Sequence, residues 1–288
     1  GASGFDPDLI ELIIEDGQLA VDSAIFEAAE GYQWHGIYIL QNSFADIINS
    51  EIKDSAAYGV WIDTMIQVNL EGNEIHNLHG KPGNPNGKDV TGVYIQKGDH
   101  SIIDNEIYDL EGGDGQSNID PAGSGGKAYG IRILDGASNI YMNLIRDITA
   151  GNGGDGAQGY PGKDGNDGIG PNLPATEGGA GGKGGDAGNG GSAIGIFINT
   201  GDGILIDENE ISNITGGNAG YAGTGGAGGA GGNGAAGENA PFGQPGGDGA
   251  NGGLGGNGGK GGQGGDAIGI YFVAENILCN DNDIHTIH

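Results

Sequence analysis

One pattern recurs six times along the chain and constrains its fold more than any other feature. Each copy opens with glycine, an aliphatic residue, an outward residue and a second apolar residue, and it reaches an Asn or Ser followed by x-Ile 13 or 14 residues after the glycine. Apolar and polar positions alternate, which is the period of short β-strands with one buried face. The copies open at Gly36, Gly59, Gly92, Gly130, Gly195 and Gly269.

A repeat of this size predicts a stacked solenoid. The copies at Gly36 and Gly59 follow each other without interruption, at a spacing of 23 residues. A unit this small cannot bury its own apolar face, so successive units must stack and bury that face against each other. Stacking turns equivalent positions into three predicted core columns: Ile37, Val60, Val93, Ile131, Ile196 and Ile270; Ile47, Leu70, Ile102, Ile140, Ile206 and Cys279; Ile52, Ile75, Ile107, Ile145, Ile211 and Ile284.

An asparagine column recurs just before the third core column, at a predicted turn. An amide side chain tolerates left-handed backbone geometry and bonds to the turn backbone above and below it, which indicates a structural role. Its members are Asn73, Asn105, Asn143, Asn209 and Asn282.

The spacing of these repeats resembles the right-handed parallel β-helix family typified by pectate lyases, tailspikes and carbohydrate-binding surface proteins. The resemblance covers residues 35–288 apart from the insertions. It implies an all-β, right-handed, single-stranded parallel β-helix of about six or seven coils, with that family's asparagine ladder at the asparagine column. The family's catalytic residues have no counterparts here. Residues 1–34 are predicted to form an N-terminal cap or an irregular first coil.

Glycine-rich insertions interrupt the repeat at one point, between the closing aliphatic residue and the next glycine. The two longest are dominated by Gly-Gly-x triplets, and glycine makes up 68 of the 288 residues. A period of three fits arms in a left-handed polyglycine-II-type helix, and proline-containing midpoints at 170–174 and 240–245 predict reversals between two legs. A flexible linker is the alternative. The packed version resembles the polyglycine-II bundles of the springtail antifreeze protein and of a phage tail-fibre adhesin. The insertions span 80–90, 111–128, 150–193 and 216–267.

The charge of the chain narrows the choice of partners. The formal net charge is −29, with only 10 Lys and Arg. Phosphate backbones and anionic membrane surfaces are therefore poor partners, whereas cations are good ones. No apolar run is long enough to span a bilayer. Cys279 is the only cysteine, which excludes an intrachain disulfide, and its apolar neighbours predict a core thiol.

Two outward columns are candidate binding surfaces. The first is aromatic and is predicted either to bind sugar rings or another ligand, or to form the floor on which the arms pack; it comprises Tyr38, Trp61, Tyr94, Phe197 and Tyr271, with Arg132 between them. The second is acidic and either stays solvated or binds a cation such as Ca²⁺; it comprises Glu51, Glu74, Glu106, Glu210 and Asp283. No other cofactor is expected. His76-x-x-His79 and His285-x-x-His288 have metal-like spacing, but no third ligand is placed by the sequence.

The sequence therefore predicts an extracellular or cell-surface structural protein rather than an enzyme. Both ends of a solenoid expose unpaired strand edges. Head-to-tail stacking of copies would pair these edges and build a filament or stalk, with the arms as its outer sheath. Two alternatives stay open. An adhesin would bind glycans or a surface receptor through the arm tips, and a polysaccharide lyase or glycoside hydrolase would degrade a glycan, although no catalytic residues are assigned.

Overall fold

A computed structural model describes residues 9–28, 33–168, 175–233 and 248–288. Within these ranges the regular structure consists of 21 strands in three parallel sheets of seven strands each. The chain passes through the three sheets in turn and then returns to the first, which is the arrangement of a parallel β-helix. No helix in the described ranges is long and apolar enough to cross a membrane.

Each sheet is built from every third strand of the chain. Sheet A contains β1 (Leu9–Glu15), β4 (Gln33–Leu40), β7 (Tyr58–Asp63), β10 (Val90–Lys97), β13 (Ala128–Ile133), β16 (Ala193–Ile198) and β19 (Ala267–Phe272). Sheet B contains β2 (Gln18–Asp22), β5 (Phe44–Ile48), β8 (Val68–Glu71), β11 (Ser101–Ile103), β14 (Asn139–Tyr141), β17 (Leu205–Asp207) and β20 (Leu278–Asn280). Sheet C contains β3 (Ile25–Phe26), β6 (Glu51–Lys53), β9 (Glu74–His79), β12 (Glu106–Glu111), β15 (Leu144–Thr149), β18 (Glu210–Thr215) and β21 (Asp283–Ile287).

The register of the three sheets produces the core columns that the repeat predicts. Ile107, for example, lies between Ile75 and Ile145, and all three side chains are fully buried. Cys279 pairs with Ile206 in the expected register, but the prediction that it is a core thiol is wrong. Its side chain is exposed, because no described strand covers β20 on its other side.

A left-handed residue in sheet C explains why the closing pattern is Ile-x-x-aliphatic rather than strictly alternating. Asn77 has a φ of 56° in the middle of β9, and both Ile75 and Leu78 on either side of it point into the core. Asp109 in β12 and Asp147 in β15 adopt the same conformation, with φ of 54° and 55°. Asn and Asp tolerate this region better than other side chains, and Asn213 occupies the same position in β18, whereas β21 has Thr286 there.

The insertions between sheet C and sheet A are held by backbone hydrogen bonds with a three-residue period. Successive insertions pair in parallel: the amides of Gly153, Gly156 and Gly159 donate to the carbonyls of Asn218, Tyr221 and Thr224, at 2.8–2.9 Å. The two legs of one insertion pair in antiparallel fashion: the amides of Gly182, Gly185 and Gly188 donate to the carbonyls of Tyr160, Ala157 and Gly154, at 2.6–2.8 Å. These hydrogen bonds join successive insertions to one another and the two legs of one insertion to each other.

Close backbone contact makes glycine necessary in these legs. A Cβ on Gly226 would lie 1.9 Å from the carbonyl oxygen of Tyr160. Some polar side chains at the third position of the triplets bond to the backbone of the next insertion. The Asp155 carboxylate accepts from the amide of Tyr221 at 2.8 Å, and the Asp186 carboxylate accepts from the amide of Lys260 at 2.9 Å. These side chains therefore link one insertion to the next.

Truncation of a central core residue tests the stacking account. Ile107→Ala should lower the free energy of unfolding by about 2–5 kcal/mol, because a fully buried side chain is replaced by a cavity. Ile25→Ala is the matched control, since Ile25 is 63% exposed, and it should cost less than about 1 kcal/mol. Urea unfolding followed by circular dichroism measures both values. Equal losses in the two variants would contradict the assignment of the core.

Candidate functional site

The asparagine column forms a continuous ladder of amides that are buried in every coil but the last. Asn105 shows the pattern: its Nδ2 donates to the carbonyls of Leu70 and Ile103 at 2.9 and 3.0 Å, and to the Oδ1 of Asn143 at 3.0 Å. Its Oδ1 accepts from the backbone N and from the Nδ2 of Asn73, at 3.0 and 2.9 Å. The same contacts join Asn143, Asn209 and Asn282. This ladder fixes the turn between sheets B and C in every coil it reaches.

The aromatic column on sheet A is a stack of rings that contact each other. Tyr38 and Trp61 are stacked at 5.6 Å with an 18° interplanar angle, and Trp61 and Tyr94 lie 4.4 Å apart. Phe197 and Tyr271 are stacked at 5.5 Å. Because the rings turn their faces to one another, a sugar has little open ring face to stack on along most of the column.

Arg132 bridges the two halves of this column, and two tyrosines widen it. The guanidinium carbon lies 5.3 Å from the ring centroid of Tyr94, 4.8 Å from that of Tyr129 and 5.7 Å from that of Phe197, at distances typical of cation–π contacts. Tyr58 meets Trp61 edge-on at 4.7 Å. Burial raises the pKa of Tyr58 and of Tyr94. Arg132 therefore continues the aromatic column, although it is not an aromatic residue.

Sequence reasoning missed Tyr58 and Tyr129, although a signal existed. Both residues come immediately before the glycine that opens a repeat. Gly59 and Val60 are both buried, and a Cβ on Gly59 would lie 2.4 Å from the Ile75 side chain. A strict two-residue alternation therefore fails there, and the residue before the glycine joins the outward column.

Two clefts lie where the aromatic column meets the bases of the insertions. One, of about 300 Å³, is lined by Tyr129, Arg132, Phe197 and Tyr271 and by the insertion residue Lys127, among others. The other, of about 470 Å³, is lined by His35, Tyr58, Lys81, Lys88 and Asp89 with two alanines. Both clefts are shallow and open, and each combines aromatic and charged side chains.

The acidic column on sheet C is partly neutralised by a second column that the sequence did not reveal. The Glu51 carboxylate contacts the Lys53 ammonium at 2.9 Å and the His76 ring at 3.1 Å, and these hydrogen bonds, that from Lys53 first, lower the pKa of Glu51. Arg146 holds Glu106 at 2.5 Å. The register places the two columns two residues apart on the same face. Glu74, Glu210 and Asp283 continue the acidic column, and Leu144 interrupts it.

The ring of Tyr108 joins this second column. His76 stacks on Tyr108 at 4.7 Å with parallel planes, and the Arg146 guanidinium lies 4.3 Å from the same ring centroid on sheet C. Three successive coils therefore contribute His76, Tyr108 and Arg146 to one continuous contact. All three occupy the repeat position that follows the core isoleucine, so the spacing of the repeat carried a signal for this contact.

The histidine pairs do not converge on a common point. His76 contacts Glu51, whereas His79 contacts Glu111 at 3.2 Å and Asn77 at 2.6 Å. His285 contacts Asp283. In the part of the chain that the structure describes, no group of three or more His, Cys, Asp or Glu side chains is arranged to hold a metal ion. The proline-containing tips at 170–174 and 240–245, where an adhesin would contact its receptor, lie outside the described residues.

A buried histidine lies at the turn between sheets A and B. The Nδ1 of His100 accepts from the amide of Val68 at 3.1 Å, and its Nε2 lies 2.9 Å from the carbonyl of Lys97, so these partners select the neutral tautomer protonated on Nε2. Burial lowers the pKa of His100, and the Lys97 carbonyl and the nearby Asp99 carboxylate oppose that shift in part. No motif marked this residue in the sequence.

Comparison of the chain with protein-family models, curated proteins and solved structures gives no match.

The asparagine ladder predicts a gradient of stability effects along the solenoid. Asn105→Ala should lower the free energy of unfolding by about 3 kcal/mol or more, because it leaves several buried donors and acceptors without partners. Asn282→Ala should cost less, since Asn282 lies in the exposed end coil, where water replaces the lost bonds. Chemical denaturation of both variants measures the difference. Equal costs would contradict a cooperative buried ladder.

The buried imidazole predicts a loss of stability in mild acid. His100 takes up a proton in the unfolded chain near pH 6.5 but only at lower pH in the folded chain. Unfolding is therefore linked to proton uptake, and the stability contribution present above pH 6.5 should fall as the pH drops below it. Urea midpoints measured between pH 7.5 and 5 should fall less for His100→Gln than for the parent. His285→Gln, whose side chain is 48% exposed, should behave like the parent.

Proposed function

We propose that this chain is a structural subunit of an extracellular or cell-surface filament or stalk, in which copies stack head to tail through the ends of the β-helix. The observation that carries the proposal is the uniform polarity of the sheets. All pairs of adjacent strands are parallel, and within the described residues β1, β2 and β3 pair on one side only, as do β19, β20 and β21. One end of a copy therefore complements the opposite end of the next.

Exposed apolar side chains at both ends support this direction of assembly. At one end the core positions Leu12, Ile14 and Val21 are only partly buried. At the other end the core positions Phe272 and Ile284 are 48% and 44% exposed. The equivalent core positions in the coils between them are fully buried. Stacking the two ends would continue each core column across the junction and remove this apolar surface from water.

The finer features of the fold fit the same function. In this proposal the coils wind with the right hand that parallel crossovers favour, in about six or seven coils. The insertions run as left-handed polyglycine-II-type legs, a conformation that their three-residue hydrogen-bond period supports. Because every insertion leaves the solenoid at the same corner, the legs form a sheath on one edge and leave both ends free for stacking.

Charge sets the conditions under which copies would join. Each copy carries a formal net charge of −29, so copies repel one another at low ionic strength. Salt would screen this repulsion, and Ca²⁺ bridging acidic side chains of the outward column would do so more efficiently.

Substitution at one end tests the proposed direction of assembly. Ile284→Asp should abolish lengthwise association, because it places a carboxylate in a core column at the end that a second copy covers. Met65→Asp is the matched control, since Met65 is 72% exposed on the side of the solenoid, and it should leave association unchanged. Light scattering and negative-stain electron microscopy across protein, salt and Ca²⁺ concentrations measure the outcome. A parent protein that stays monomeric throughout would overturn the proposal.

A further inference from the structure

The last insertion carries glycines that its own chain does not require. In its return leg, a Cβ on Gly255 or Gly258 would come no closer than 3.7 or 3.6 Å to any other atom, and a Cβ on Gly261 would meet nothing within 4 Å. None of the three has a φ in the left-handed region, so the backbone there accepts other residues. Glycine nevertheless recurs at this position of five successive triplets, the others being Gly252 and Gly264.

The equivalent glycines of the preceding insertion show why this position of the triplet is glycine. A Cβ on Gly178, Gly181 or Gly184 would lie 2.0–2.1 Å from a carbonyl oxygen of residues 223–229, in the outgoing leg of the last insertion. Gly125, one insertion earlier, would meet the carbonyl of Gly151 at 1.9 Å in the same way. At each earlier insertion the glycine makes room for the next leg. The stripe at 252–264 is therefore shaped for one more leg.

Unpaired backbone groups lie along the same edge. The amides of Gly178, Gly181 and Gly184 donate to carbonyls of the next return leg at 2.8–3.1 Å. Within the described residues the corresponding amides of Gly255 and Gly258 have no acceptor. The carbonyls of Gly182 and Gly185 accept from the next outgoing leg, but the corresponding carbonyls of the last return leg, such as that of Gly256, have no donor in the same ranges. Donors and acceptors thus alternate along the edge with a three-residue period.

The edge is also poor in charge. The outgoing leg at 216–233 contains no Asp, Glu, Lys or Arg, and the described part of the return leg at 248–266 contains only Asp248, Lys260 and Asp266. The whole chain carries 39 acidic residues. Depletion of charge in the centre of a patch is typical of protein interfaces, and here it permits two highly acidic copies to approach each other.

We propose that this edge, defined by Gly252, Gly255, Gly258, Gly261 and Gly264, docks against the same edge of a second copy of the chain. Legs in this bundle already pair in both directions, parallel between insertions and antiparallel within one. An antiparallel partner leg related by a two-fold axis is therefore acceptable, and an edge that offers donors and acceptors together is self-complementary. Because successive insertions follow the order of the coils, this edge faces the same end of the solenoid as β19, β20 and β21, but the pairing runs along the legs and not through the end strands.

The test uses a substitution that the isolated chain tolerates. The combined variant Gly255→Ala, Gly258→Ala and Gly261→Ala adds three methyl groups that come no closer than 3.6 Å to any other atom, so its thermal stability and circular dichroism should match those of the parent. In a docked pair the same methyl groups would meet the partner backbone at distances that glycine alone permits. The Kd of the dimer should therefore rise by at least about ten-fold. Gln158→Ala, on the exposed face of the preceding insertion, is the matched control.

The parent, the triple variant and the control are studied in the Ile284→Asp background, which separates this pairing from lengthwise stacking. Sedimentation equilibrium should give a species of twice 28.7 kDa for the background chain and for the Gln158→Ala control, and weaker pairing for the triple variant. Hydrogen exchange at 248–266 should slow as the dimer forms. A background chain that stays monomeric at high concentration, or a triple variant that pairs as tightly as its parent, would overturn the proposal.

Discussion

The structure depends on the in-register hydrogen bonding of each coil to its neighbours. Parallel strands lie about 4.8 Å apart, so every feature that recurs in the repeat must also stack at that spacing. Aliphatic residues meet this condition as core columns, and Asn105 meets it as part of a ladder in which each amide bonds to the next. The insertions meet it only because they are rich in glycine: ordinary helices pack about 8–10 Å apart, whereas legs with glycine facing their neighbours approach closely enough to follow the coils.

Several acidic side chains of the chain help to hold this arrangement together. The carboxylates of Asp155 and Asp186 accept backbone amides from the next insertion, and the pairs Glu51–Lys53 and Glu106–Arg146 neutralise charge on sheet C. Part of the negative charge therefore links neighbouring legs and coils, although its sum still opposes association between copies. The same constraint explains why charge is sparse on the edge of the last insertion, where a neighbouring leg would meet it directly.

The repeat predicted the sheets, the core register and the position of the insertions, because each copy has nearly the same length and the same inward residues. It could not predict contacts that cross between columns. Tyr129 joins the aromatic stack from the neighbouring position, and Arg146 reaches Glu106, through long side chains whose direction the spacing does not fix. The repeat also placed Cys279 correctly in register but wrongly in the core, because burial depends on the neighbouring coil as well as on the position in the repeat. The third residue of each glycine triplet gave no sign of its bonding role until the legs were seen side by side.

The central claim is that the three sheets continue from one copy to the next. Electron cryo-microscopy of assembled protein tests it most directly, because it resolves the junction itself. The account predicts fibres in which β19, β20 and β21 of one copy pair with β1, β2 and β3 of the next, with an axial repeat of about seven strand spacings, roughly 34 Å. Fibres or oligomers in which these end strands face solvent would contradict it.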